Sequence, residues 1–148
     1  MFVFNKDFWF SLCLIFSSSI IIAEPNKTDE KKMYVETTSG KVEGLIQGEI
    51  YRFLGIPYAE PPVGALRFKR SALAKRIDTV ISADNYKAAC SQNIPPYSEP
   101  EFEMSEDCLF LNIFSPGTGR GDRPVLFWIH GGSYLYGSGN DYDGSNLA

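Results

Sequence analysis

Residues 34–37, 41–46 and 49–54 are short runs of strand-forming, partly apolar residues, separated by Ser39-Gly40 and Gln47-Gly48. Runs of this length between turn-forming residues read as strands joined by tight turns, so the segment predicts an antiparallel β-meander. Residues 55–68 break the pattern with Pro57, Pro61, Pro62 and Gly64. Proline fixes φ and removes a backbone donor, which excludes a regular helix or a central strand and predicts an ordered, extended loop. Two apolar runs follow, residues 109–114 and 125–129, bracketed by the turn around Ser115-Pro116-Gly117 and by the glycines after His130. The second run has no polar alternation. It suits a strand covered on both faces, as in a parallel sheet flanked by helices, and a short buried helix would share the same pattern.

The amino terminus does not belong to this core. Lys6 precedes an apolar stretch over residues 8–22, and small Ala23 then gives way to a polar run that opens with Glu24 and Pro25. The stretch is short of the roughly 20 residues a membrane span needs, so residues 1–23 read as a signal peptide and the protein as secreted. An uncleaved anchor is the alternative. Residues 24–33 form a polar tail carrying the N-glycosylation sequon at Asn26, and residues 34–148 form the globular part.

Composition narrows the partners. The chain has 148 residues, is 44% hydrophobic, and carries a net charge of -4. That balance provides a core and disfavours nucleic acid, whose binding rests on a basic surface. Arg67, Lys69, Arg70, Lys75 and Arg76 are scattered through a turn-rich region and read as a solvated face. Removal of the leader takes Cys13 with it and leaves Cys90 and Cys108. In an oxidising compartment these either pair or remain as two buried thiols, and pairing is the stronger reading. A bridge would close a loop containing Pro95, Pro96 and Pro100 and would stabilise by about 3 kcal/mol in the chain-entropy account. The irregular residues 93–103 inside it are expected to line an entrance.

The candidate chemistry lies immediately after residues 125–129, where His130-Gly131-Gly132-Ser133-Tyr134 follows the apolar run. Ester hydrolysis through an acyl-enzyme develops negative charge on the carbonyl oxygen, and preorganised backbone N–H groups stabilise it. Glycines allow that backbone to approach a substrate. A glycine pair alone would read as a plain tight turn; the pair after an apolar strand fits the oxyanion loop of lipases and esterases. His130 is the one histidine of the chain. It stands at the turn itself, whereas α/β-hydrolases place the catalytic histidine after the nucleophile and the acid, so a loop-organising role is expected of it. No Gly-x-Ser-x-Gly occurs, and one histidine with two disulfide-prone cysteines makes no metal site.

The chain from about Val35 resembles the type-B carboxylesterase/cholinesterase family. The motifs that carry the resemblance stand in order: Phe53-Leu54-Gly55-Ile56-Pro57-Tyr58-Ala59-Glu60-Pro61-Pro62-Val63-Gly64 with Arg67-Phe68, then Ser105-Glu106-Asp107-Cys108-Leu109-Phe110-Leu111-Asn112-Ile113, then the His-Gly-Gly loop. The resemblance implies the N-terminal part of an α/β-hydrolase fold, a β-meander leading into a mostly parallel central sheet. It implies a Cys90–Cys108 disulfide, a buried Arg67–Glu106 ion pair, and oxyanion donors at the N–H groups of Gly132 and Ser133, with His130 and Gly131 completing the loop. It implies no cofactor and no metal, a small-molecule ester as substrate, and a catalytic serine, acid and histidine beyond Ala148.

Three departures refine the expectation. Ser133 stands where the family commonly has a third glycine, and its β-carbon restricts the loop. Tyr97-Ser98 replaces the tryptophan with which cholinesterases hold a quaternary ammonium, which disfavours acetylcholine. The usual Pro-Trp pair is missing between Ala72 and Val80. The expected function is a secreted serine carboxylic-ester hydrolase, of which this segment supplies the oxyanion loop without being active alone. The alternatives are a cholinesterase and an inactive, neuroligin-like adhesion protein, the latter similar in His130 to Tyr134 and in Gly137 to Ser145.

Overall fold

The computed structural model describes residues 31–94, 102–117 and 121–148. The leader, Asn26, Tyr97 and Ser98 lie outside the described residues. Seven strands are formed among the described residues: β1 (Lys31–Thr37), β2 (Gly40–Gln47), β3 (Ile50–Pro57), β4 (Ile81–Ser82), β5 (Ala89–Cys90), β6 (Met104–Ser105) and β7 (Phe110–Pro116).

β1, β2 and β3 form the antiparallel meander. Its two hairpin turns are short because glycines adopt the backbone angles they need. Thr37 pairs with Gly40, whose φ is 129°, and Gln47 pairs with Ile50 across Gly48, whose φ is 60°. Thr37 Oγ1 donates to the Gly40 carbonyl at 2.7 Å, tightening the first turn. The meander starts at Lys31, so its first strand takes in residues assigned above to the polar tail.

β3 extends further than the proline count of residues 55–68 predicts. It runs to Pro57 and pairs antiparallel with β7, from Ile50 opposite Pro116 to Pro57 opposite Phe110. A bulge makes this compatible with the sequence: between the pairs Phe53–Ile113 and Ile56–Leu111, β3 carries one residue more than β7. Gly55 absorbs it at φ 75°, and Pro57 sits at the strand end, where its missing N–H breaks no interior ladder bond. Beyond it the loop is pinned rather than paired. The Glu60 N–H donates to Ala72 at 2.9 Å, and Lys75 holds the Glu60 carboxylate with its ammonium at 2.8 Å and its backbone N–H at 2.9 Å.

The core lies where β2 and β3 diverge. Residues 81–84 enter that gap: β4 pairs parallel with β2, Ala83 N–H donates to Glu43 and Leu54 N–H donates to Ala83, both at 2.8 Å. Val42, Phe53, Ile81 and Ala83 are buried there, with Met33, Tyr51 and Ile56 packed against them. Gly44 makes the space, since a Cβ on it would lie 2.4 Å from the Phe53 ring.

Residues 125–129 differ from expectation. They join no strand among the described residues, and their side chains are 61–90% exposed. An all-apolar strand is held by ladder partners and by layers covering both faces. Among the described residues neither is present, and Trp128 finds only the edge of Tyr142, at 5.5 Å between ring centroids.

Candidate active site: the glycine loop and its supports

The loop after His130 is a closed turn built on its own backbone. The Gly132 carbonyl accepts from Leu135 N–H at 2.9 Å and from Tyr136 N–H at 3.2 Å. Three successive residues take positive φ: Gly132 at 122°, Ser133 at 56° and Tyr134 at 61°. Only glycine reaches the first of these without cost, and a Cβ on Gly132 would lie 1.7 Å from the Tyr136 carbonyl oxygen. Non-glycine residues in the left-handed region cost about 1–2 kcal/mol each, so Ser133 and Tyr134 store strain.

The orientation of the loop amides is the feature that matters for chemistry. Among the described residues, the N–H groups of Gly132 and Ser133 donate to no protein acceptor. The loop's internal bonds are made by the amides that follow, at Leu135 and Tyr136, and leave the two glycine-loop donors available. His130 turns its Nδ1 to the Gly131 carbonyl at 2.8 Å, so the imidazole lies along the loop it begins.

The supports come from three other places in the sequence. Gln92 pairs its side-chain amide with the backbone of Gly137, accepting from its N–H and donating to its carbonyl at 3.0 Å. Asn112 on β7 accepts from the Gly55 N–H at 2.8 Å and reaches Asn140 at 3.3 Å, while Asn140 donates to the Lys87 carbonyl at 2.8 Å. Ser138, the one buried polar residue among the described residues, caps the short 3-10 turn Gly139–Asp141: its hydroxyl accepts from Asn140 N–H at 3.1 Å, and the Asp141 carboxylate accepts from Ser138 N–H at 3.0 Å. The last turn, Gly144–Asn146, is capped by Asp143, whose carboxylate accepts from Ser145 N–H at 2.9 Å.

Cys90 and Cys108 are joined as a disulfide with Cα atoms 4.9 Å apart, and the adjoining β5 and β6 pair in parallel. Arg67 and Glu106 meet at 2.6 Å, but with side chains 49% and 45% exposed the pair is half in solvent rather than buried, because among the described residues no layer covers it. Of the remaining basic residues of that region, Lys75 pairs with Glu60 and Arg76 approaches Asp78 at 4.0 Å, the behaviour of a solvated face. Sequence reading named the glycine loop and passed over Gln92, Asn112 and Asn140. Each is a single amide acting across 28 to 57 residues, which leaves no local pattern to read.

The Carboxylesterase family profile matches residues 31–148. Acetylcholinesterase of Bungarus fasciatus is 39% identical over 155 aligned positions, covering 94% of this chain and 25% of that protein. Para-nitrobenzyl esterase of Bacillus subtilis is 41% identical over 119, covering 77% of this chain and 24% of the relative. A solved PNB esterase superposes with a TM-score of 0.74 at 40% identity, over 80% of this chain and 25% of that structure. The chain belongs to the carboxylesterase family, and it spans about a quarter of the length of these relatives. Its fold class is the α/β-hydrolase class of its structural neighbours, of which the described residues form a strand-rich part.

Proposed function

We propose that residues 31–148 supply the oxyanion-stabilising loop of a secreted serine carboxylic-ester hydrolase. The observation that carries this reading is the pair of backbone donors at Gly132 and Ser133, which no acceptor among the described residues occupies, on a loop locked at positive φ. In the proposed mechanism a serine hydroxyl from the remainder of the protein gives its proton to a histidine there and attacks the ester carbonyl, whose π electrons move onto oxygen. That oxyanion is received by the two N–H groups, which need no reorganisation because the turn already fixes them. Collapse breaks the bond to the alkoxy oxygen, which leaves as the alcohol with the proton returned by the histidine, and water hydrolyses the resulting acyl-enzyme through a second oxyanion at the same donors. Each donor of this kind is worth about 100- to 1000-fold in rate.

Neutral acyl esters are the proposed substrates; relatives named as esterases support the coarser class of small-molecule esters. The Cys90–Cys108 disulfide supports an oxidising destination, in line with the leader at residues 1–23. The full-length protein, meaning this chain together with the part that carries the catalytic serine and called the full chain from here on, is expected to show with p-nitrophenyl acetate a burst of one p-nitrophenol per active site followed by steady turnover. A full chain that is folded and yields neither burst nor turnover overturns the esterase reading in favour of an inactive adhesion protein.

A further inference from the structure

Gln92 stands two residues past Cys90, on the arm that the disulfide closes. Its side-chain amide makes three hydrogen bonds. Oε1 accepts from Gly137 N–H; Nε2 donates to the Gly137 carbonyl at 3.0 Å and to the Cys90 carbonyl at 3.0 Å. The first two bonds engage both backbone groups of one residue, as a strand neighbour does in a hydrogen-bonded pair. The third ties the same amide back to the disulfide arm.

Gly137 is the position through which this support reaches the glycine loop. It takes φ 110°, and a Cβ on it would lie 2.6 Å from the Gly131 carbonyl oxygen and 2.8 Å from His130 Nδ1. The backbone of Gly137 therefore lies directly against His130 and Gly131, where the loop begins. The loop is closed internally by the bonds from Leu135 and Tyr136 to Gly132, so its exit at Gly137 and its entry at His130 move together. Between the loop and the sheet, Gln92 is a side chain that grips this exit from outside, over 45 residues of sequence. The independent bond from Asn140 to Lys87 fixes the following turn to the same region of the chain.

We infer that Gln92 is a positioning residue for the oxyanion donors: it clamps Gly137 to the disulfide arm and so sets where the N–H groups of Gly132 and Ser133 point. The inference rests on the esterase reading above. It assigns the arm between Cys90 and Cys108 a part in transition-state stabilisation without placing any of its atoms on the substrate. A displacement of the donors of about 1 Å costs on the order of 100-fold in rate, and it acts on the developing oxyanion more than on the ground-state ester.

The test uses the full chain with Gln92→Ala, which removes the clamp, and Gln92→Glu, which keeps the acceptor for Gly137 N–H and turns a carboxylate oxygen toward the Gly137 carbonyl. Kinetics are normalised to active sites by burst titration, so that loss of folded protein does not count. Both variants are expected to lower kcat by about 10- to 100-fold with KM unchanged. Inactivation by a neutral phosphonate ester should slow by the same factor, and the Gly137 amide should exchange its hydrogen faster. Should Gln92→Ala not fold, Gln92→Glu carries the comparison. Wild-type kcat per active site in a folded variant overturns the positioning role and leaves the esterase reading intact. A folded wild-type chain without ester turnover overturns both.

Discussion

Gly132 and Tyr136 define the turn of the glycine loop: the Gly132 carbonyl accepts from Tyr136 N–H at 3.2 Å, and the Tyr136 carbonyl oxygen occupies the place of a Gly132 side chain, 1.7 Å from an ideal Cβ. Gly132→Ala must therefore open the turn. We expect the full chain to lose about 100-fold or more in kcat/KM, because displaced donors no longer meet the oxyanion. Gly131→Ala is the comparison: among the described residues nothing lies within 4 Å of a Cβ there, and it should cost less in kcat/KM than Gly132→Ala.

Ser133, at φ 56°, holds a conformation that glycine adopts freely. Relief of about 1–2 kcal/mol of left-handed strain outweighs the roughly 0.5–1 kcal/mol of extra chain entropy a glycine loses on folding. Ser133→Gly is expected to stabilise the full chain by about 0.5–1 kcal/mol in a urea titration while preserving the backbone donor. A loss of stability would mean that the serine side chain makes a compensating contact.

The disulfide closes a sequence separation of 18 residues and anchors the arm that carries Gln92. Replacing both cysteines by serine should lower unfolding free energy by about 3 kcal/mol in the chain-entropy account. Activity per folded molecule should fall as well, since the arm is the outer support of the loop. Equal activity per folded molecule would restrict the bridge to stability.

Acid should weaken the meander through Glu43. Its carboxylate accepts from Lys32 at 2.6 Å and from the Tyr34 hydroxyl, and these bonds, with Lys32 first, hold its pKa below the ordinary value. A depressed folded pKa contributes stability above the unfolded value, about 4.3, that is lost as pH falls through the folded one. Lys32 and Tyr34 are raised by the same bonds, so their contribution is present below about pH 10 and lost as pH rises further. Glu43→Gln should flatten the melting temperature against pH at both ends. The effect should shrink in high salt, because the Lys32 end of the pair lies in solvent.

Much of this architecture was legible in the sequence, for physical reasons that differ by element. The meander showed itself because strand runs and turn glycines are local, although the hairpin turns centre one residue away from Ser39-Gly40 and Gln47-Gly48. The extent of β3 was hidden because Gly55 and Pro57 read as breakers, and only the pairing with β7 turns them into a bulge and a strand end. β4 was hidden because two residues that enter the gap between β2 and β3 from far along the chain leave no periodic trace. The run at residues 125–129 has the composition of a doubly covered strand, but a strand exists only with its neighbours, and the described residues supply none. The glycine loop was read from its motif, while Gln92, Asn112 and Asn140 became visible only once the fold brought their amides to it.

The most direct measurement is a crystal structure of the full chain after reaction with a neutral phosphonate ester, whose tetrahedral phosphoryl oxygen stands in for the oxyanion. The account predicts that oxygen about 2.7–3.1 Å from both the Gly132 and the Ser133 backbone nitrogens. A bound phosphonate whose oxygen is held by other donors, with those two N–H groups turned into internal hydrogen bonds, would contradict it.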